Sequence, residues 1–242
     1  MWLLAIDRSS PGAGAAVFRD GILEGQCRDV AGEPSRAPGW MADVVGLLAE
    51  QAIAPADLGA LCAGVGPGSF SGIRSSLAAL QGLALPSGVA VFGVSSAAAL
   101  AYRMLTGPAA PKGVAVVGDA RRERLWVGAF RLASAGGVEA VDGKGRARAA
   151  SHTADDFELV RAGDVASAVP AGARVASSDW GRIGAALNAA FGSDRVVQAA
   201  AYPDAEAVGR LFLADPDAAK REPLPVYLHP AVAEKPAQAG GC

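Results

Sequence analysis

Apolar positions along the chain alternate between strand-like and helix-like spacing. Trp2 to Asp7 is a short apolar run ending in an acid, and Ala13–Phe18 and Ile22–Arg28 are further runs of strand length. Arg19-Asp20-Gly21 separates the last two as a turn in which glycine supplies positive φ. Two prolines and two glycines between Ala31 and Gly39 stop regular structure, and a helical pattern then runs from about Trp40 to Ala52. Leu61–Val65 is the next buried strand. Gly66-Pro67-Gly68-Ser69-Phe70-Ser71-Gly72 follows and leads into a helix to about Leu85, after which Val89–Val94 returns as a strand and Ser95 caps another helix. Antiparallel strands followed by alternating helix and strand predict an α/β fold with a mixed sheet and helices packed on it.

A Gly/Pro-rich break at Thr106–Gly113 precedes two more strand-like runs, Val114–Asp119 and Leu125–Leu132, around a charged turn, so a second sheet is expected to begin here. From Gly136 to Ala173 the pattern is weak. Val175–Ser178, a helix near Ile183–Ala190, Val196-Val197 and a helix from about Pro203 to Leu213 are better defined, and the prolines after Asp215 predict an extended, partly disordered tail. The expected division is 1–106, 107–215 with its last helix free to pack back on the first unit, and a proline-rich tail over 216–242. No tandem repeat is visible, although the strand-turn-strand opening of the second half echoes the first.

The two helices of the first unit are unusually apolar. Stepping about 100° per residue places Trp40, Met41, Val44, Val45, Leu47, Leu48 and Ala52 on an arc roughly 160° wide, more than packing on one sheet needs. On the second helix Ile73, Leu77, Leu80 and Ala84 form a bulky face, while Ser75, Ala78, Ala79 and Gly82 form another face of small residues. Small residues at helical spacing admit a close neighbour. Either these helices cover each other inside one subunit, or Trp40, Met41, Val44, Val45, Leu48, Ser75, Ala78, Ala79 and Gly82 form a protein–protein surface.

The chain has 242 residues, enough to bury a core without staples, and 51 % of them are hydrophobic. With 22 basic against 24 acidic residues the net charge is −2, which argues against a strong general field for nucleic acid and leaves only local contacts. Three cysteines without C-x-x-C spacing predict a reducing, cytoplasmic setting, and apolar runs broken well before roughly 20 residues exclude a membrane-spanning helix. Two histidines, His152 and His229, lie far apart and form no zinc-hydrolase pair, so no metal site and no catalytic set is expected. Cys62 reads as inert core.

A Gly-x-Gly turn between strand and helix can present N–H groups and the helix dipole to an anion, but it equally serves as a turn that packs helix on strand. Asp7, followed by Ser9, stands at the end of the first strand, where a carboxylate either holds metal and phosphate or caps its own turn. The nucleotide or phosphate candidates are therefore Asp7, Ser9, Gly66, Gly68 and Ser69. Asp119 ends a strand similarly in the second half.

The chain resembles the TsaB (YeaZ) family. The residues carrying the resemblance are Leu3-Leu4-Ala5-Ile6-Asp7-Arg8-Ser9-Ser10, then Gly64 through Arg74, then Gln81-Gly82-Leu83-Ala84. Further on come Gly93-Val94-Ser95-Ser96, Asp119-Ala120-Arg121 and Val226-Tyr227-Leu228. The resemblance implies a two-domain, ribonuclease H-like fold of the actin, Hsp70 and sugar-kinase type. It also implies a non-catalytic scaffold for TsaD, the subunit that places threonylcarbamoyl on N6 of adenosine 37 in tRNA. Its implied partners are TsaD as a heterodimer through the two apolar helices, TsaE, and a second copy of itself when alone. Transfer RNA is then reached only through the complex, and ATP or ADP has a place at the complex. The histidine common in the family before the first long helix is absent, that stretch reading Glu33-Pro34-Ser35-Arg36-Ala37-Pro38-Gly39-Trp40. Competing readings are an ATP-dependent small-molecule kinase of the same superfamily and a glycoprotease-like peptidase.

Overall fold

The computed structural model describes residues 1–28, 39–221 and 223–228, so the break expected at 31–38 and the tail from 229 lie outside the described residues. β1 (Trp2–Asp7), β2 (Gly14–Arg19) and β3 (Ile22–Arg28) form an antiparallel meander. The β2–β3 turn places Asp20 at φ 50° and Gly21 at φ 84°, a two-residue hairpin loop that glycine favours. α1 (Trp40–Glu50) leads to β4 (Leu58–Gly64), which lies parallel beside β1. α2 (Phe70–Ala84), β5 (Val91–Val94) and α3 (Ser96–Leu105) complete the first half, with β5 parallel to β4. Ser69 and Ser95 cap α2 and α3 by accepting the N–H groups of Gly72 and Ala98, so Gly72 stands inside the first turn of α2 and not ahead of it.

The second half repeats the plan. β6 (Val114–Arg121), β7 (Arg124–Leu132) and β8 (Val138–Val141) are an antiparallel meander. β9 (Ala147–Ala149) extends it, β10 (Glu158–Arg161) pairs with the first part of β7, and α4 (Val165–Ala168) follows. β11 (Arg174–Ala176) then lies parallel beside β6, as β4 does beside β1. The weakly patterned stretch from 136 to 173 thus contains three strands and a helical turn. α5 (Trp180–Phe191), α6 (Ala205–Ala214) and β12 (Lys220–Arg221) end the described chain.

Sheet orders are β12-β5-β4-β1-β2-β3 and β11-β6-β7-β8-β9. Two mixed sheets, each opening with a meander and closing with a parallel strand beside its first, make this the α/β architecture of the actin, Hsp70 and sugar-kinase type. Val44, Leu47 and Leu48 of α1 and Ile73, Leu77 and Leu80 of α2 cover Leu4, Ile6, Val17 and Leu61 on one face of the first sheet. Leu3, Ala5, Ala16 and Phe18 on its other face meet α3 and α6, which also meet Val116, Trp126 and Phe130 of the second sheet. α4 and α5 close the far side on Val117, Leu125 and Val127. The central helices are rich in small residues because two sheets must close on them: Ala97, Ala98, Ala99 and Ala101 are all buried, and a side chain at Gly209 would overlap the Phe18 ring.

The segment after Asp215, expected to be an extended tail, is a strand partner where it is described. Lys220 and Arg221 pair antiparallel with Gly93 and Phe92 of β5, and the Val226 N–H donates to the Val65 carbonyl at 2.9 Å, burying Val226. Asp204 anchors α6 by accepting the Ala207 N–H at 2.8 Å, and its carboxylate is held by Arg103 of α3 and by Arg28 of β3. Among the described residues no helix is long and apolar enough to cross a membrane.

Candidate functional site

The glycine-rich segment meets the turn after β1. The Ser69 N–H donates to the Ser9 carbonyl at 2.7 Å, and the Gly66 N–H to Ser96 Oγ at 3.0 Å. A Cβ at Gly68 would overlap the Ser9 carbonyl oxygen, and one at Gly72 the Arg8 carbonyl oxygen. Backbone lies against backbone at both places, which only glycine permits. Gly66, at φ 94°, turns the chain into the loop. As arranged, the segment is a packing joint between α2 and the β1–β2 turn.

Asp7 lies under this joint, fully buried. Its Oδ1 accepts the Ser9 N–H at 2.7 Å and the Ser9 hydroxyl at 2.6 Å, whereas Oδ2 has no hydrogen-bond partner among the described residues. Gly64 leaves room for that oxygen, since a side chain there would overlap it. Burial pushes the Asp7 carboxyl up from its ordinary 3.8, and the Ser9 bonds oppose the shift without cancelling it. Among the described residues no group of three His, Cys, Asp or Glu could hold a metal ion.

His152 was passed over in the sequence because its neighbours in the chain are polar and carry no pattern. It is buried at φ 53°, its Nδ1 accepts the Ser95 N–H at 3.3 Å, and its own N–H donates to Asp156 at 2.7 Å. It therefore ties the second half to the cap of α3. Burial lowers its pKa from 6.5, against the opposing influence of Asp156 and Asp215.

The two shifts act on stability with opposite signs. For Asp7 the folded pKa is raised, so its contribution is fully present below 3.8 and is lost as pH rises through the folded value. For His152 the folded pKa is lowered, so stability is lost as pH falls below 6.5, where the unfolded chain takes up the proton first. Thermal melts should show the advantage of Asp7→Asn over the parent growing from pH 4 to pH 7. The deficit of His152→Gln should shrink as pH drops below 6.5. Parallel melting curves for parent and variants across that range would contradict both assignments.

The outward faces of α1 and α2 present the second candidate. Val44 and Leu48, read as part of a partner surface, instead face the first sheet and are buried in this chain's own core. Val45, by contrast, is 56 % exposed, Trp40 and Met41 are half-buried, Ala78 and Gly82 are exposed, and Ser75 and Ala79 are intermediate. Space beyond Gly46 and Gly82 is open, with nothing within 4 Å of where a Cβ would stand. The helices cover the sheet side by side, so their outer faces are not spent on each other.

Three residues missed in the sequence extend this face. Phe70, at the start of α2, is 54 % exposed; its ring lies 5.7 Å from that of Tyr227, and the Arg74 guanidinium stacks on it at 4.0 Å. Arg74 Nε also donates to the Tyr227 hydroxyl at 3.1 Å. Arg8, whose carbonyl lies against Gly72 in the joint, stacks on Trp40 at 4.6 Å. Exposed aromatic and arginine side chains held in fixed stacks are the residue types that dominate binding energy at protein interfaces. The i, i+4 spacing of Phe70 and Arg74 was the readable signal; Tyr227 comes from a segment 153 residues past Arg74.

With this geometry in place, comparison with known proteins adds relatives. The family described as TsaD, tRNA N6-adenosine threonylcarbamoyltransferase, matches residues 41–157, which run from α1 through the glycine-rich joint to the loop before β10. YeaZ from Pseudomonas aeruginosa superposes with a TM-score of 0.71 at 26 % identity, covering 94 % of this chain and 99 % of that one. A second Pseudomonas aeruginosa structure, described as an uncharacterized protein similar to peptidase YeaZ, gives 0.69 at 25 % identity, again over 94 % and 99 %. Uncharacterized proteins of Mycobacterium tuberculosis and Mycobacterium bovis are 32 % identical over 126 residues, 51 % of this chain. The match spans 56 % of the length of those curated relatives.

Proposed function

We propose that this chain, a YeaZ-like relative of the TsaD family, is the non-catalytic scaffold of a tRNA N6-threonylcarbamoyladenosine-modifying complex. YeaZ-like structure and the TsaD-family segment support a place in that pathway. The scaffold role is carried by one observation: α1 and α2 seat their bulky residues on the first sheet yet leave Val45, Phe70, Ala78 and Gly82 facing outward. A face of small residues lets the helices of a partner approach closely, with the Phe70–Arg74–Tyr227 stack at one end as its anchor. In this reading the occupant of the face is TsaD, with TsaE joining the assembly, and a second copy of the chain occupies it when TsaD is absent.

Size-exclusion chromatography with light scattering tests the reading. The chain alone should run as a homodimer and, mixed with TsaD from the same organism, should exchange into a heterodimer. A monomer indifferent to TsaD would overturn the scaffold role.

A further inference from the structure

The turn between β6 and β7 breaks two local rules at once. Arg121, Arg122 and Glu123 stand at φ 65°, 52° and 59°, left-handed backbone in three successive residues that are not glycine. Arg121 pairs with Arg124 across the turn, making Arg122-Glu123 a two-residue loop of the kind for which Asn-Gly or Gly is preferred. The β2–β3 turn of the same protein obeys that preference with Asp20-Gly21. In addition, Arg124 lies directly opposite Arg121 on β6 and directly opposite Arg161 on β10. Residues so paired project from the same side of a sheet with Cβ atoms about 5 Å apart, and like charges there repel.

Only part of this charge is answered locally. Asp119 pairs with Arg121 at 3.2 Å and with Arg182 at 3.4 Å, and Asp179 holds Arg182 as well while accepting the Asp119 N–H at 2.8 Å. Arg122, Arg124 and Arg161 are exposed and have no ion pair among the described residues, with Glu123 the acid in the turn itself. A chain of net charge −2 thus concentrates three guanidinium groups without an ion pair among the described residues at one end of its second sheet, one of them, Arg122, on left-handed backbone. Local rules broken together without internal compensation mark a functional surface.

We infer that Arg122, Arg124 and Arg161 contact the phosphate backbone of an RNA. Guanidinium groups suit phosphate oxygens. Among the described residues the patch has no exposed aromatic side chain on which bases would stack, so the contact positions an RNA without reading its sequence. This deepens the proposed role in tRNA modification and rests on it: the scaffold touches the tRNA itself and does not meet it solely through its partner.

Fluorescence anisotropy of a labelled, unmodified tRNA transcript, titrated with the full chain at 50 mM and 150 mM salt, tests the inference. The parent should bind at 50 mM salt and weaken steeply at 150 mM. Arg122→Ala/Arg124→Ala/Arg161→Ala should bind at least tenfold more weakly, with a log–log salt slope smaller by about 2–3. The triple lysine variant should keep most of the affinity, since charge is retained. The alanine variant should melt no lower than the parent, because it relieves repulsion. Binding equal to the parent in the alanine variant, or no binding by a parent that still assembles with TsaD, overturns the RNA contact and leaves the scaffold reading standing. Unchanged RNA binding with lost TsaD assembly would reassign the patch to an acidic protein surface. A parent that neither binds RNA nor assembles overturns both readings.

Discussion

Gly82→Glu is expected to abolish the proposed association with TsaD, and the proposed self-association with it, while leaving a folded chain. Position 82 is exposed on α2, and nothing stands within 4 Å of the Cβ that the substitution adds. Glutamate is also the better helix former, by roughly 0.5 kcal/mol or a little more, which offsets its mildly unfavourable place near the C-terminal end of the helix. The isolated protein should therefore melt within a few degrees of the parent. In the complex, the carboxylate would be buried against a partner helix without a counter-charge, at a cost of several kcal/mol, about 10²- to 10³-fold in affinity. Light scattering of the mixture reads the loss directly. Ala78→Glu, one helical turn earlier on the same exposed face, should behave alike, whereas Ala149→Glu, exposed on β9 of the second sheet, should assemble normally. Heterodimer formation by both α2 variants at parental affinity would remove this face as the docking surface.

The reason such a test can be designed lies in the structure and not in the sequence. The apolar arc of the first helix contains both Val44, which is buried, and Val45, which is 56 % exposed, and periodicity cannot divide an arc that wide between a sheet and a partner. The same holds for the second helix, where the small face was legible as a pattern but its exposure was not. Strands with several inward positions, such as β1, β4, β6 and β7, announced themselves by apolar runs and by turn chemistry at Asp20-Gly21. β9, three residues with the sequence Ala-Arg-Ala, owes its existence to pairing with β8, and β12 to pairing with β5; neither has a local signal to read. His152 and Tyr227 gain their roles from Ser95 and Arg74, respectively 57 and 153 residues away. Side chains whose partners are that distant look ordinary in sequence.

Gly72→Ala is expected to be as damaging as Gly82→Glu is harmless to the fold, although both glycines stand on the same helix. The added methyl at position 72 would overlap the Arg8 carbonyl oxygen, and neither side can yield cheaply, because one is the first turn of α2 and the other is the backbone turn following β1. Ser69, whose hydroxyl accepts the Gly72 N–H at 3.2 Å, would lose its capping geometry as the turn shifts. Gly68→Ala meets the same obstacle at the Ser9 carbonyl. Overpacking against backbone together with a weakened cap should cost about 2–4 kcal/mol in each variant, or roughly 5–15 °C in melting temperature for a chain of this size. Gly82→Ala, in open space, should instead raise the melting temperature by a few degrees through helix propensity. Opposite signs at glycines 72 and 82 would establish that the first serves the joint between α2 and the β1–β2 turn. The second then has no internal packing reason to be glycine, which leaves the approach of a partner as its use. If Gly72→Ala melts with the parent, the joint is plastic, and the close backbone approach is not what requires glycine there.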